Sequence, residues 1–256
     1  MAKFENIVFN SDSLKSSFEN DKTHYKVLVL IIASNVGDHF DVFTQCWNKY
    51  MNSNPNIKSF FLYSIPHINS DIFVTENTII HNYQESFEPG ILYKTVAGMK
   101  ICEKYFTYDY MLRTNLSSFY HFERLLDFLD KQPLLEYAAA KQNIYRDDIG
   151  FLSGAGFILS RDIVIKFLSE IFDKHALCED IVRHPDDVVI TMIIKRFITG
   201  NFYHLDRFDC EDVVEPEKID KHIFHIRNKT EWKYGNRDID MENIKKLYDS
   251  FYLNSS

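Results

Sequence analysis

Glycine is scarce: 8 residues in 256, where an ordinary chain carries about 7%. No GxGxxG follows an apolar run and no GxxxxGK[ST] occurs, so the two common glycine-dependent phosphate cradles are excluded. The four cysteines, Cys46, Cys102, Cys178 and Cys210, stand far apart with no CxxC pair. That spacing is neither a zinc knuckle nor a disulfide framework. The longest clean apolar run, VLVLIIA (27–33), is far short of the roughly 20 residues that a membrane helix needs. Excess positive charge is also missing. With 29 Lys and Arg against 37 Asp and Glu the net charge is −8, which argues against a protein that earns its affinity by neutralising a nucleic-acid backbone. The first residues, MAKFENIVFNSDSLK, lack a basic segment followed by an apolar core. The expectation is a soluble, cytoplasmic protein of a reducing compartment.

What is present is a large apolar supply, 45% hydrophobic and 15% aromatic, enough for one sizeable core. The pattern predicts an arm over residues 1–25 and a single domain over 26–256. KVLVLIIAS (26–34) is a continuous β-branched run of the kind that forms a buried parallel strand. Asp38 opens a helical pattern that puts Phe40, Phe43, Trp47 and Tyr50 on one face, and SNPN ends it. IKSFFLYSI is the next strand, so strand, helix and strand make a βαβ unit. Further along, TIIHNY predicts a short strand, residues 92–106 a helix, YDYMLRT a strand, and residues 119–130 another helix. LEYAAAKQN and FLSGAGFILS are apolar segments either side of IYRDDIG. Ser160 and Asp162 begin a helix to Phe172, and Pro185 begins one with acids in its first turn. A final helix, capped by Asp240, turns Ile244, Leu247, Tyr248 and Phe251 inward.

Several stretches are polar where they leave apolar runs. Arg113, Thr114, Asn115 and Ser117 end the YDYMLRT strand. Asp186 and Asp187 read first as a pair complementing a helix dipole, and second as a source of one general base. The small residues Ser153, Gly154, Ala155 and Gly156 permit close backbone packing or close approach of a ligand. Lys94 and Thr95 fall on the first turn of a helix, where Lys94 either reaches a ligand or lies exposed. The tail cations Arg227, Lys229, Lys233 and Arg237 are a solvated loop or an anion site. His39, His67, His81, His121, His175 and His204 show no metal-ligand spacing and receive no role.

Taken in order, the strand ending in Ala33-Ser34-Asn35, then ESFEPGILYKTVAGMKIC, YDYMLRTNLSSF, FLSGAGFILSRDIV, DDVVI and FHIRNK resemble the GT-A nucleotide-sugar glycosyltransferases of the Fringe and β1,3-galactosyltransferase type. In that family the matching stretches run N-L-x-x-K-T, Y-D-x-x-x-K-T-D-D-D-x-F, S-G-x-G-Y-x-x-S and E-D-V, and the similarity covers residues 26–229. The resemblance implies an α/β, GT-A-like fold, a mostly parallel central sheet flanked by helices. It implies transfer of a hexosyl or pentosyl group from a nucleotide-sugar, by default a UDP-sugar, to a glycan hydroxyl with inversion. It places the catalytic base at Asp187, with Asp186 beside it, and a metal-ligating or phosphate-contacting histidine at His225. Donor contacts fall on Ala33, Ser34, Asn35, Lys94, Arg113, Thr114, Asn115, Ser117, His225, Arg227 and Lys229, and the acceptor side on Ser153, Gly154, Ala155 and Gly156. One departure stands out. Where the family holds a divalent metal with a DxD, this chain has Asn115-Leu116-Ser117, and hard cations prefer carboxylate oxygens. The expectation is therefore that a divalent metal, Mn or Mg, either binds weakly or is dispensed with, cations of the tail carrying the phosphate charge in its place.

Two other readings use the same residues. A catalytically degenerate GT-A module would bind carbohydrate or act as a scaffold, and a methyltransferase is disfavoured by the missing glycine-rich loop. Golgi members of the family carry a signal-anchor helix, so a chain without one suggests a bacterial or viral enzyme or a catalytic piece trimmed of its anchor. The richness in Asn, Lys, Ile, Tyr and Phe is typical of AT-rich genomes such as those of giant DNA viruses.

Overall fold

The strand β1 (His24–Ile32) lies at the centre because both of its faces are apolar: Val27 to Ile31 are all fully buried. The computed structural model describes residues 23–68, 70–145, 149–199 and 202–253. The expected arm up to residue 22 lies outside the described residues. β1 begins at His24, a little before the expected boundary.

From β1 the chain passes through α1 (Asp38–Tyr50), β2 (Ile57–Ser64), β3 (Ile72–Val74), β4 (Thr78–His81), α2 (Gly90–Tyr105) and β5 (Thr107–Asn115). It continues with β6 (Ser118–Tyr120), α3 (Phe122–Leu129), β7 (Ala138–Tyr145), β8 (Ile149–Ser160), α4 (Arg161–Phe172) and α5 (Asp186–Ile194). The remaining elements are β9 (Tyr203–His204), β10 (Phe208–Cys210), β11 (His225–Asn228), α6 (Glu231–Tyr234) and α7 (Asp238–Tyr248). Eight strands form one sheet in the order β3-β4-β2-β1-β5-β8-β7-β9. β4, β2, β1 and β5 run parallel, while β8 pairs antiparallel with both β5 and β7. A second sheet of three strands, β10-β11-β6, stands beside the end of β5.

Alternation along the strands divides the core. Leu28 and Leu30 pack with Val96, Phe167, Val189 and Ile193 on the side of α2, α4 and α5. Val27, Val29 and Ile31 pack with Phe43, Trp47, Leu125, Ile244 and Leu247 on the side of α1, α3 and α7. Each such side chain contributes about 1.5–3 kcal/mol by leaving water. Two expectations need correction. Residues 119–120 are not the start of a helix: Ser118 to Tyr120 pair with β11, and α3 starts at Phe122. Asp240 does not cap α7. It is buried inside the first turn, accepts hydrogen bonds from the Thr230 N–H and hydroxyl at 2.9 and 2.8 Å, and pairs with Arg237.

Candidate active site

The chain winds outward from β1 to β2 and β4, then returns to the other side of β1 as β5. This reversal is a topological switch point, where open α/β sheets bind ligands beyond the carboxyl ends of their strands. Ile32 and Asn115, register partners at the ends of β1 and β5, both line a cavity of about 320 Å³ at that crevice. Its polar lining includes Arg113, Asn115, Ser153, Asp186, Asp187 and Arg227.

α5 supplies the carboxylates. Pro185 precedes it, and Asp186 and Asp187 occupy its first turn, where the N-terminal dipole favours acids. Asp186 is buried and paired with Arg113 at 2.5 Å. Asp187 is half-buried; its Oδ2 accepts from the Gly154 N–H at 2.7 Å and its Oδ1 from the Val188 N–H at 2.9 Å. Burial pushes the Asp187 carboxyl up to about 6, the charge of Asp186 adds to this, and Arg113 pulls it back. A carboxylate held near neutrality can take a proton and release it again.

β8 brings the small residues against these groups. A Cβ added at Gly154 would lie 2.7 Å from Asp187 Oδ2 and 2.8 Å from Arg113 Nη1, so only glycine lets the carboxylate reach the main chain. Gly156 serves a different neighbour: its Cβ would overlap the Tyr120 hydroxyl and come within 2.7 Å of His225 Cε1. The Ala155 carbonyl accepts from the Thr114 and Ser118 hydroxyls at 2.7 and 2.8 Å.

The small second sheet supplies the cations. Arg227 on β11 stands in register with Asp209 on β10 and Ser118 on β6. Its Nε is buried with no hydrogen-bond partner, and among the described residues it forms no ion pair. Burial lowers its guanidinium pKa, and the neighbouring Arg207 lowers it further. Arg207, which the sequence reading missed, grips Asp209 through Nε at 2.7 Å and Nη2 at 3.1 Å and donates to Ser153 Oγ at 2.9 Å. Lys141 of β7 also pairs with Asp209, at 2.7 Å. Burial alone would raise the Asp209 carboxyl, but these two cations outweigh it and hold it at about 2. Two cations thus share one carboxylate beside the cavity, and Arg227 stands next to them with no ion pair among the described residues.

Not every expected site residue lies on this cavity. The Ala33 carbonyl accepts from Lys94 Nζ at 2.8 Å, and Ser34 and Asn35 lie beyond β1 outside the lining. Lys94 is neither exposed nor free to meet a ligand: it is 1% exposed and bonded to both Glu85 oxygens at 2.8 and 2.9 Å. Burial lowers its pKa and Glu85 opposes that. His225 is buried, stacked on Tyr120 at 4.4 Å and hydrogen-bonded to Ser118 at 3.1 Å. Burial, then Arg207, drive its pKa well below the ordinary value, so it is neutral and turned to the interior. Lys229 lies over Trp232 at 5.2 Å, Lys233 pairs with Asp212, and Arg237 pairs with Asp240. These tail cations are engaged away from the cavity. Phe87, Ile91, Asn143 and Phe151 line it without having been anticipated; three of them lie in stretches that carry the resemblance, but an apolar side chain there reads as core.

Asn115-Leu116-Ser117 stands where the resemblance expects a DxD. Asn115 Oδ1 already accepts from the Ser117 hydroxyl at 2.9 Å and from that of Ser118 at 3.2 Å, and Leu116 is buried. One occupied amide oxygen and one hydroxyl do not fit a hard divalent cation. Among the described residues, no three His, Cys, Asp or Glu side chains cluster as a metal site.

The three-dimensional comparison decides the fold. A PBCV-1 glycosyltransferase involved in glycosylation of the major capsid superposes on 86% of this chain and 98% of its own, with a TM-score of 0.50 at 10% identity. The fold is GT-A-like. No family model and no curated protein matches the chain by sequence. In this GT-A-like fold, no helix among the described residues is long and apolar enough to cross a membrane.

Proposed function

We propose that this protein is a soluble glycosyltransferase that moves a sugar, hexosyl or pentosyl, from a nucleotide donor, by preference a UDP-sugar, to a hydroxyl of a glycan acceptor with inversion and without a metal. One observation carries the reading: a single cavity at the switch point holds a carboxylate poised near neutrality, Asp187, and an arginine that forms no ion pair among the described residues, Arg227. Asp187 takes the proton of the acceptor hydroxyl as its oxygen attacks the anomeric carbon. The bond from that carbon to the diphosphate oxygen breaks on the opposite face, and its electron pair leaves with the nucleotide. Charge then grows on the diphosphate, and a preorganised cation in a dry site stabilises it. Arg227 has that role, and the excess of positive charge from Arg207 and Lys141 supports it. Small residues of β8, from Ser153 to Ala155, let the acceptor approach the base. The work site is the cytoplasm of a cell or of an infected host.

The Asn115-Leu116-Ser117 sequence favours one competing reading, a GT-A-like module that has lost turnover and binds carbohydrate. A thermal-shift panel of UDP-, GDP-, CMP- and dTDP-sugars in EDTA tests the donor site. A donor at 100 times its dissociation constant adds about 2.7 kcal/mol, a rise of about 5–10 °C for a chain of this size. A rise with one nucleotide in EDTA supports the proposal. A rise only with Mn²⁺ overturns its metal independence, and no rise with any donor overturns the donor site.

A further inference from the structure

Arg113 reaches the cavity from β5, yet both terminal nitrogens of its guanidinium are committed to the protein, and its Nε is buried without a partner. Nη2 donates to Asp186 Oδ2 at 2.5 Å, and Nη1 donates to the Gly154 carbonyl. The same glycine donates its N–H to Asp187 Oδ2 at 2.7 Å. Arg113, Gly154, Asp187 and Asp186 therefore form a closed ring, and the backbone between the two aspartates is its last link. Arg113 itself is 3% exposed. A surface ion pair would be worth little, and a buried one is by itself weak evidence for stability. Its chemical consequence here is more specific. Two adjacent carboxylates at one site compete for a proton, because a like charge disfavours the second ionisation. Arg113 is paired with the one that does not carry the chemistry.

We propose that Arg113 is a positioning residue: it neutralises Asp186 and anchors the Gly154 peptide, so that Asp187 alone is left to take the acceptor's proton. This rests on the reading of Asp187 as base. It also revises the expected role of Arg113 from donor contact to support of the base. The groups that face Asp187 agree with the assignment. Asp186 comes from its own helix, Arg113 from β5 and Arg227 from β11, while Lys94 of α2 acts on Asp186. The charged side chains of α4 are engaged elsewhere, Arg161 with Glu103, Lys166 with Asp162 and Glu170 with Lys174. Before α5, His184 stands edge-on to Tyr145 at 5.8 Å. No other cation pairs with Asp186 among the described residues.

The test titrates Asp187 by the carbon-13 shift of its carboxyl in the full chain, assigned by the signal lost in Asp187→Asn, beside the pH profile of kcat/KM. The wild-type midpoint is expected at about 6. Arg113→Gln is expected to move it up by at least ~1 pH unit and to lower kcat at pH 6 by about fivefold or more with the donor KM unchanged. Arg113→Lys, which keeps the charge, should hold the midpoint near that of the wild type, and Arg113→Gln with Asp186→Asn should bring it back. A midpoint that stays put in Arg113→Gln while activity falls equally at every pH overturns the proposal in favour of a structural ion pair. A change confined to the donor KM overturns it in favour of a donor contact. Should Arg113→Gln alone fail to fold, the double variant, which buries no unpaired charge, and Arg113→Lys decide: a midpoint far from the wild type in either overturns it. The carboxyl titration does not need turnover. An inactive wild type would defeat the base reading while the shift in Arg113→Gln still reports on the ring.

Discussion

Two walls of the cavity each present an arginine, and the two are used in opposite ways. On the β5 wall, Arg113 has both terminal nitrogens committed, one to a carboxylate and one to a carbonyl. Both arginines have a buried Nε with no partner, but on the β11 wall Arg227 forms no ion pair among the described residues, while Arg207 behind it consumes the nearby Asp209. The first arginine is a part of the scaffold for the base. The second is a binding group left open. Position in a pocket does not separate these roles, and neither does the unpartnered Nε that both share; ion pairing does, because a buried charge without a counter-charge is costly and calls for an explanation.

The largest effect expected is on the base. Asp187→Asn should lower kcat by about 10²–10⁴-fold, read as nucleoside diphosphate release, while the donor-induced melting shift persists. Next comes the open arginine. Arg227→Met should cost about 10²–10³ in kcat, the size seen when one preorganised donor to a developing anion is removed, and should also shrink the melting shift given by the donor. Arg227→Lys should recover only part of it, because a point charge cannot replace a planar fork. If Arg227→Met left donor binding intact, the contrast between the two walls would be gone.

Smaller effects sharpen the contrast. Gly154→Ala forces a Cβ against Asp187 and Arg113; overpacking of this kind costs about 1–3 kcal/mol, measurable by denaturant titration, and should disturb the carboxylate wall but not donor binding. In the wild type, kcat/KM should rise with pH through about 6 and level off above it, because the raised Asp187 carboxyl must lose its proton to act as base. A profile that falls through this range would assign Asp187 the acid role. Least of all should change in Lys233→Ala, whose exposed pairing with Asp212 lies away from the cavity; turnover and donor affinity are expected to match the wild type.

The sequence revealed the first half of the sheet because β1, β2 and β5 are long apolar runs with helices of clear period between them. Of the polar and small residues it singles out, Arg113, Asn115, Gly154, Asp186, Asp187 and Arg227 line one cavity. The second sheet was hidden. Its strands are three or four residues long, too short for alternation to show, and Phe119 and Tyr120 read equally well as a helix start. Arg207 and Asp209 were missed for the same reason, their pairing being set by a short strand end. Lys94 and His225 show the limit of motif transfer. Both occupy positions that the resemblance marks, yet Lys94 ties β1 to Glu85 and His225 stacks on Tyr120, contacts made by residues distant in sequence.

The most direct test of the central claim is nucleoside diphosphate release from the donor panel in EDTA, comparing wild type with Asp187→Asn in the presence of glycan acceptors. The account predicts release by the wild type with one nucleotide class, lost in the variant although the donor still raises its melting temperature. Equal release by both proteins would contradict Asp187 as the base, and donor binding with no release by the wild type would leave a GT-A-like module that binds without transferring.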